Sequence, residues 1–237
     1  MTTEDFLPYR EPRQSAIELL VIHCNIFDKK TFLYWMNYYK TSCHYYISER
    51  GEISQLVKDE DKAYHAGIGT WRGKENINDR SIGIELENST LGQTEYKKEQ
   101  ISALIRLSQN LIKKYNIKPE NIIGHSDSAP TRKADPGLCF PWKELSKEGI
   151  GLYPNSNQYL PEDNIENLLQ TIGYDTKDEI TTQASAYAFC RHFAPQYVKT
   201  DPNIQHLVDN ILPANFEFMK DSNFKSILQK TAYLYKV

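Results

Sequence analysis

Two short apolar runs do most to limit what this chain can fold into, because each ends in a histidine. Leu19-Leu20-Val21-Ile22 leads to His23, and Ile122-Ile123-Gly124 leads to His125. Runs this short read as strands. Successive side chains along a strand point to opposite faces, so His23 and Cys24 cannot share one. Ser81 to Leu86 predicts another strand, with Ile82, Ile84 and Leu86 alternating against Ser81, Gly83 and Glu85. His44 to Ser48 and Glu52 to Val57 flank Glu49-Arg50-Gly51, a hairpin pattern in which Gly51 supplies a positive φ. Between the strands, Lys30 to Lys40 predicts a helix rich in aromatics. Thr94 to Tyr115 predicts a second, with Ile101, Leu104, Ile105, Leu111 and Ile112 at helical spacing and Asn116 and Pro119 ending it. This alternation predicts an α/β domain: a mixed central β-sheet flanked by helices, with functional residues at strand ends.

The chain of 237 residues has room for one medium domain and one small one. The first is expected over residues 15–153, closed by the turn-rich stretch Gly151-Leu152-Tyr153-Pro154-Asn155-Ser156-Asn157. Three helical stripes follow: Ile165, Leu168, Leu169 and Ile172, ended by Gly173; Ile180, Ala184, Tyr187 and Ala188; and Ile204, Leu207, Val208 and Ile211. They predict a small three-helix module over residues 161–212, separable from the first domain. Residues 213–237 form an extension with no assigned role. The long polar stretch Asp59 to Arg80 is expected to be a functional loop.

A net charge of −3 gives no basic footprint, so nucleic acid is not an expected partner. No stretch reaches transmembrane length, and Met1-Thr2-Thr3-Glu4-Asp5-Phe6 carries neither a basic, apolar leader nor a lipidation cysteine. Taken literally, that predicts a cytoplasmic protein, expected to be a monomer. Cys24, Cys43, Cys139 and Cys190 have no CxxC spacing and are expected to be small hydrophobes.

Lys133 and Asp135 follow His125 by eight and ten residues, in a loop rich in turn formers. Two imidazoles and a carboxylate suit a mononuclear Zn2+ site with an open fourth position, and an ammonium nearby suits developing negative charge. Asp127 is a rival carboxylate, more simply read as a turn or supporting hydrogen bond. Glu85, on the strand face away from Ile84 and Leu86, either accepts a proton in a cleft or is solvated, as Glu87 is expected to be. His65 divides evenly between substrate contact and a structural loop role. Trp71-Arg72 either meets a sugar and a peptide carboxylate or pins the loop. His44 is expected in the core, at most one of Tyr45 and Tyr46 in the cleft, and His192 and His206 on the surface.

Gly124-His125-Ser126-Asp127, Lys133-Ala134-Asp135-Pro136-Gly137, Ser42-Cys43-His44-Tyr45-Tyr46-Ile47, Ala63-Tyr64-His65-Ala66-Gly67, Trp71-Arg72-Gly73, Asn78 to Asn88 and Cys139-Phe140-Pro141-Trp142 occur in an order that resembles the zinc-dependent peptidoglycan amidases. The resemblance runs from about Ile17 to Tyr153, and the helical stripes resemble the peptidoglycan-binding module of the two-domain amidases of the Gram-negative envelope. It implies one Zn2+ held by His23, His125 and Asp135, although some relatives use a cysteine as third ligand and Cys139 lies four residues too late for that. It further implies Glu85 as proton acceptor, Lys133 beside the oxyanion, and His65, Trp71 and Arg72 as substrate contacts. The implied reaction is hydrolysis of the amide between N-acetylmuramic acid, or its 1,6-anhydro form, and L-alanine, on wall polymer or on recycled muropeptides. The two-domain likeness adds the periplasm or cell envelope as an alternative location. A non-catalytic peptidoglycan receptor on the same fold is the alternative function.

Overall fold

The computed structural model describes residues 7–198 and 216–236. Its elements run β1 (Arg10–Pro12), β2 (Leu19–Asn25), α1 (Lys29–Tyr39), β3 (Tyr45–Ile47), β4 (Ile53–Gln55), β5 (Asp61–Ala63), α2 (Ile77–Arg80), β6 (Ser81–Glu87), α3 (Lys98–Tyr115), β7 (Ile122–Gly124), α4 (His125–Ser128), α5 (Trp142–Lys147), α6 (Ile165–Ile172), α7 (Glu179–Phe193) and α8 (Ser222–Tyr235). The main sheet has the order β4-β3-β6-β2-β7; β2, β3, β6 and β7 are parallel to their neighbours, and β4 is antiparallel to β3. β1 and β5 pair separately. The mixed sheet flanked by helices is the one predicted.

Both faces of the sheet are covered, which is why β2 is almost wholly apolar. Leu20, Ile22 and Cys24 pack with Ile82, Ile84 and Leu86 against Ala103, Leu104 and Leu111 of α3. Leu19 and Val21 point the other way, toward α6, α7 and α8. α1 covers the β3 side of that same second face: Phe32 packs on Tyr46, with ring centroids 5.1 Å apart. Asp28 caps α1 by accepting from the Thr31 amide at 2.8 Å. α3 begins at Lys98 rather than Thr94, because Asn88 Nδ2 donates to the Thr94 carbonyl and the Thr94 amide donates to Thr90 Oγ1. Those bonds hold Thr94 in a turn.

The helices after residue 160 share a core with the sheet domain. Leu168, Leu169, Ile172, Phe189, Phe193, Phe224 and Leu228 form one buried cluster with Leu19, Val21, Trp71 and Ile123 of the sheet domain. Within the stretch 213–237, α8 packs on α6 and completes this core. The predicted first stripe is α6, closed by Gly173. In the second, Ala184, Tyr187 and Ala188 are buried, whereas Ile180, in the first turn of α7, is 60% exposed. The third stripe, Ile204 to Ile211, and His206 lie outside the described residues.

Candidate active site

β2 and β6 are hydrogen-bonded in a register that sets His23 directly beside Glu85. Paired residues on neighbouring strands share a face, so both rise from the face opposite α3. His125 opens α4 at the end of β7, the strand on the other side of β2. Asp135 returns to the same point because the Ser126 amide donates to its carbonyl at 3.0 Å. His23 Nδ1, His125 Nδ1 and Asp135 Oδ2 then converge: the two nitrogens are 3.0 Å apart and lie 3.3 and 3.1 Å from the carboxylate oxygen. Two donors bound to one zinc ion at tetrahedral angles sit roughly 3.3–3.6 Å apart, so the triangle is only slightly tighter than a metal would set.

The far sides of both rings are engaged. His125 Nε2 lies 3.0 Å from the Ala66 carbonyl, and His23 Nε2 lies 2.9 Å from His65 Nδ1. A carbonyl can only accept, so His125 carries its proton on Nε2 and presents a lone pair at Nδ1. If His65 Nδ1 accepts from His23 Nε2, His23 presents its own Nδ1 lone pair. Two lone pairs and a carboxylate facing one point favour a cation there, and the donor set fits Zn2+.

Electrostatics follow from burial. Desolvation first, and the adjoining His125 ring second, lowers His23 to about 4, which keeps the ring neutral. Burial works to raise Asp135, but the two imidazoles overcome it and hold the carboxylate well below its usual range. Desolvation first, then repulsion from Asp135, raises Glu85 to about 8; a hydrogen bond from Asn25 and the charge of Lys133 oppose this. Asn25 Nδ2 donates to Glu85 Oε2 at 3.0 Å. Lys133 stands on the turn after α4, its amide bonded to the Ala129 carbonyl at 3.0 Å, close enough for its charge to act on His23 and Glu85.

His65, Trp71 and Arg72, weighed between substrate contact and a structural role, all make contacts within the fold. Both nitrogens of His65 are taken, Nδ1 by His23 and Nε2 by Ser81 Oγ at 3.1 Å. Its ring is therefore held between His23 and Ser81. Trp71 is buried, donates from Nε1 to the Glu120 carbonyl at 3.1 Å, and lies edge-on to Tyr174 and Tyr235. Arg72, at φ 53°, receives the Gly173 carbonyl on its amide and donates from Nη1 to the Ile172 carbonyl. Together they pin the loop, Arg72 to the C-terminal end of α6 and Trp71 to the Glu120 carbonyl before β7, with the indole buried in the core.

His192, expected on the surface, is buried, and its Nδ1 lies 2.8 Å from Asp127 Oδ2. Asp127 also accepts from Tyr174 Oη at 2.6 Å and from the Gly124 amide at 2.7 Å. It thereby ties α4 to α7, and it is not among the three residues that converge as candidate ligands. Glu87 is not simply solvated: it accepts from Tyr46 Oη and the Glu49 amide. Tyr45 and Tyr46 are both buried, as is His44, whose Nδ1 accepts from the Gly83 amide. All four cysteines are free thiols, three of them buried, and Cys24 faces away from His23.

Asn25, Ser81 and Gly83 were missed as site residues. Each shares a strand face with His23 or Glu85, so period two was the available clue. Gly83 must lack a side chain because a Cβ there would overlap the His65 ring.

The model of the N-acetylmuramoyl-L-alanine amidase family matches residues 13–138, just over half of the chain. The chain belongs to the N-acetylmuramoyl-L-alanine amidases. It is 38% identical over 221 residues to the amidase AmiD of Escherichia coli K12, with 80% of each chain covered. The structure of E. coli AmiD bound to anhydro-N-acetylmuramic acid-L-Ala-D-gamma-Glu-L-Lys is similar over 94% of this chain and 92% of that one, at 30% identity and a TM-score of 0.75. AmpDh3 of Pseudomonas aeruginosa is similar over the whole of both chains, at 29% identity and a TM-score of 0.74. The reaction of this amidase is hydrolysis of the amide joining N-acetylmuramic acid to L-alanine in peptidoglycan, which sets aside the receptor alternative. No helix among the described residues is long and apolar enough to cross a membrane.

Proposed function

We propose that this amidase holds one Zn2+ on His23, His125 and Asp135 and cuts the lactyl–L-alanine amide of 1,6-anhydro-muropeptides released from the wall. The observation that carries the reading is the convergence of His23 Nδ1, His125 Nδ1 and Asp135 Oδ2 with Glu85 in register beside His23. The anhydro-sugar is favoured because both AmiD and AmpDh3, whose folds this chain shares, have structures with anhydromuramyl peptides bound.

Bound there, Zn2+ supplies Lewis-acid chemistry, polarising a carbonyl and lowering the pKa of water. Glu85 takes the proton of the attacking water. Its burial raises its pKa to about 8, which makes its carboxylate a stronger base than a solvated one, and Asn25 fixes it by one oxygen so that the other is available. The proton then passes from Glu85 to the departing nitrogen of L-alanine. Lys133, fixed by the turn that brings Asp135 home, meets the negative charge that builds on the carbonyl oxygen. His65 and the Ala66 carbonyl hold the two imidazoles so that their lone pairs stay aimed inward. A crevice of about 890 Å³, lined by Gly67, Arg132, Tyr174 and Thr176 among others, lies beside the Ala66 carbonyl that holds His125, without reaching the ligands themselves.

The test is metal analysis beside activity. Wild type should carry about one zinc per chain, Asp135→Ala almost none, and Glu85→Gln the full complement with its rate lost. Zinc retained by Asp135→Ala would remove Asp135 from the ligand set.

A further inference from the structure

The face of β6 that looks away from α3 carries Ser81, Gly83 and Glu85 in alternation, and of the three only Glu85 has a part in the proposed chemistry. Gly83 leaves room for the His65 ring, whose Cγ would lie 2.4 Å from a Cβ at that position. Ser81, at the start of the strand, is fully buried; its Oγ lies 2.5 Å from the Ile77 carbonyl and 3.1 Å from His65 Nε2. His65 Nδ1 lies 2.9 Å from His23 Nε2, and His23 Nδ1 is one corner of the ligand triangle. An unbroken line of hydrogen bonds therefore runs from a backbone carbonyl to a candidate zinc ligand.

The direction of that line is fixed at its backbone end. A hydroxyl has one proton to give and two lone pairs to receive with, whereas a carbonyl only accepts. The Ser81 proton is therefore committed to Ile77, and Ser81 Oγ meets His65 as an acceptor. His65 then carries a proton on Nε2. A second proton, on Nδ1, would add positive charge beside a cluster already shaped to hold a cation, so Nδ1 keeps its lone pair and accepts from His23 Nε2. His23, with its proton on Nε2, presents a lone pair at Nδ1. Were the serine to donate to His65 instead, each step would reverse, and His23 would turn an N–H toward His125 and Asp135. His125 has no such dependence, because its Nε2 meets the Ala66 carbonyl directly. We propose that Ser81 is a positioning residue of this amidase: acting through His65, it sets the tautomer of His23 and keeps the Nδ1 lone pair on the ligand side. That role rests on the zinc reading for its use, whereas the tautomers themselves can be read without metal.

In metal-free, full-length protein labelled with nitrogen-15 histidine, long-range proton–nitrogen correlation spectra show which ring nitrogen carries the proton. His23 and His65 should both be in the Nε2–H form, each assigned by the pattern that His23→Ala or His65→Ala removes. Ser81→Ala should move the proton of both rings to Nδ1 and weaken Zn2+ binding about 10-fold or more in competition with a chelator. Ser81→Thr, which keeps a hydroxyl at that place, should restore the wild-type tautomers and most of the affinity. Melting curves in chelator show that each variant is folded; a serine with a merely structural role would move the melting temperature and leave the tautomers alone. If Ser81→Ala does not fold, the wild-type spectrum still decides the direction of the line. A proton on Nδ1 of His65 or His23 in the metal-free wild type overturns the proposal, as does a folded Ser81→Ala variant with both tautomers and the Zn2+ affinity unchanged. Wild type that shows the expected tautomers yet binds no Zn2+ would refute the zinc reading and leave the action of Ser81 on His23 standing.

Discussion

Replacing Glu85 by glutamine should abolish turnover and, in the metal-free protein, raise stability. Glu85 sits near the end of β6, desolvated and facing Asp135, and its pKa rises from 4.5 to about 8. Between those values the native state holds a proton that the unfolded chain releases, so ionisation of Glu85 drains stability as pH rises through the window. The gap corresponds to several kcal/mol in full, and the partial exposure of the carboxylate reduces that to about 1–3 kcal/mol at pH 7.5. Glutamine keeps the shape and can still accept from Asn25 Nδ2, so it removes the charge penalty alone. For a chain of this size the expected gain is a Tm higher by about 3–10 °C at pH 7.5 in chelator. At pH 5 wild-type Glu85 is mostly protonated, and the gain should shrink to below about 1 kcal/mol. Amidase rate should fall by a factor of about 10² to 10⁴ at every pH. Scanning calorimetry of both proteins at pH 5 and 7.5 reads the difference. A Tm gain that is absent, or equal at the two pH values, would refute the desolvated-carboxylate argument.

Three further outcomes follow from particular contacts. His65→Ala should fold and keep the three ligands but bind Zn2+ about 10- to 100-fold more weakly by competition with a chelator, since His23 Nε2 loses its partner. Lys133→Ala should keep zinc and lose roughly 10²–10³ in kcat, measured on a defined muropeptide. Ending the chain before Pro161 should lower Tm by more than about 10 °C or give insoluble protein, because it uncovers Leu19, Val21 and Ile123 and leaves Asp127 without Tyr174 and His192. A well-folded fragment would show that the shared core matters less than its composition implies.

What was legible in the sequence was whatever depends on short-range periodicity. The alternation in Ser81 to Leu86 separated Glu85 from the core, and the apolar runs ending at His23 and His125 marked the strands whose ends meet. Contacts set by distant packing were not legible. His192 reads as a polar residue on an amphipathic helix, and only the fold shows that a buried Asp127 awaits it across the seam between α4 and α7. Trp71 and Arg72 resemble a sugar contact in type; their partners, Glu120, Ile172 and Gly173, lie far along the chain. The stripe in α6 announced a buried face, but nothing local said that the face would be the sheet domain itself. His65 was divided evenly between two roles because its bond to His23 spans 42 residues of sequence.

The most direct test of the account is product analysis with one substrate, 1,6-anhydro-N-acetylmuramyl-L-Ala-D-gamma-Glu-L-Lys, in water enriched in oxygen-18. The zinc-loaded amidase should release the intact tripeptide with a free L-alanine amine and the anhydro-sugar acid carrying one heavy oxygen on its lactyl carboxylate. Chelated enzyme and Glu85→Gln should release neither. Cleavage within the peptide, a label elsewhere, or full turnover by metal-free protein would contradict it.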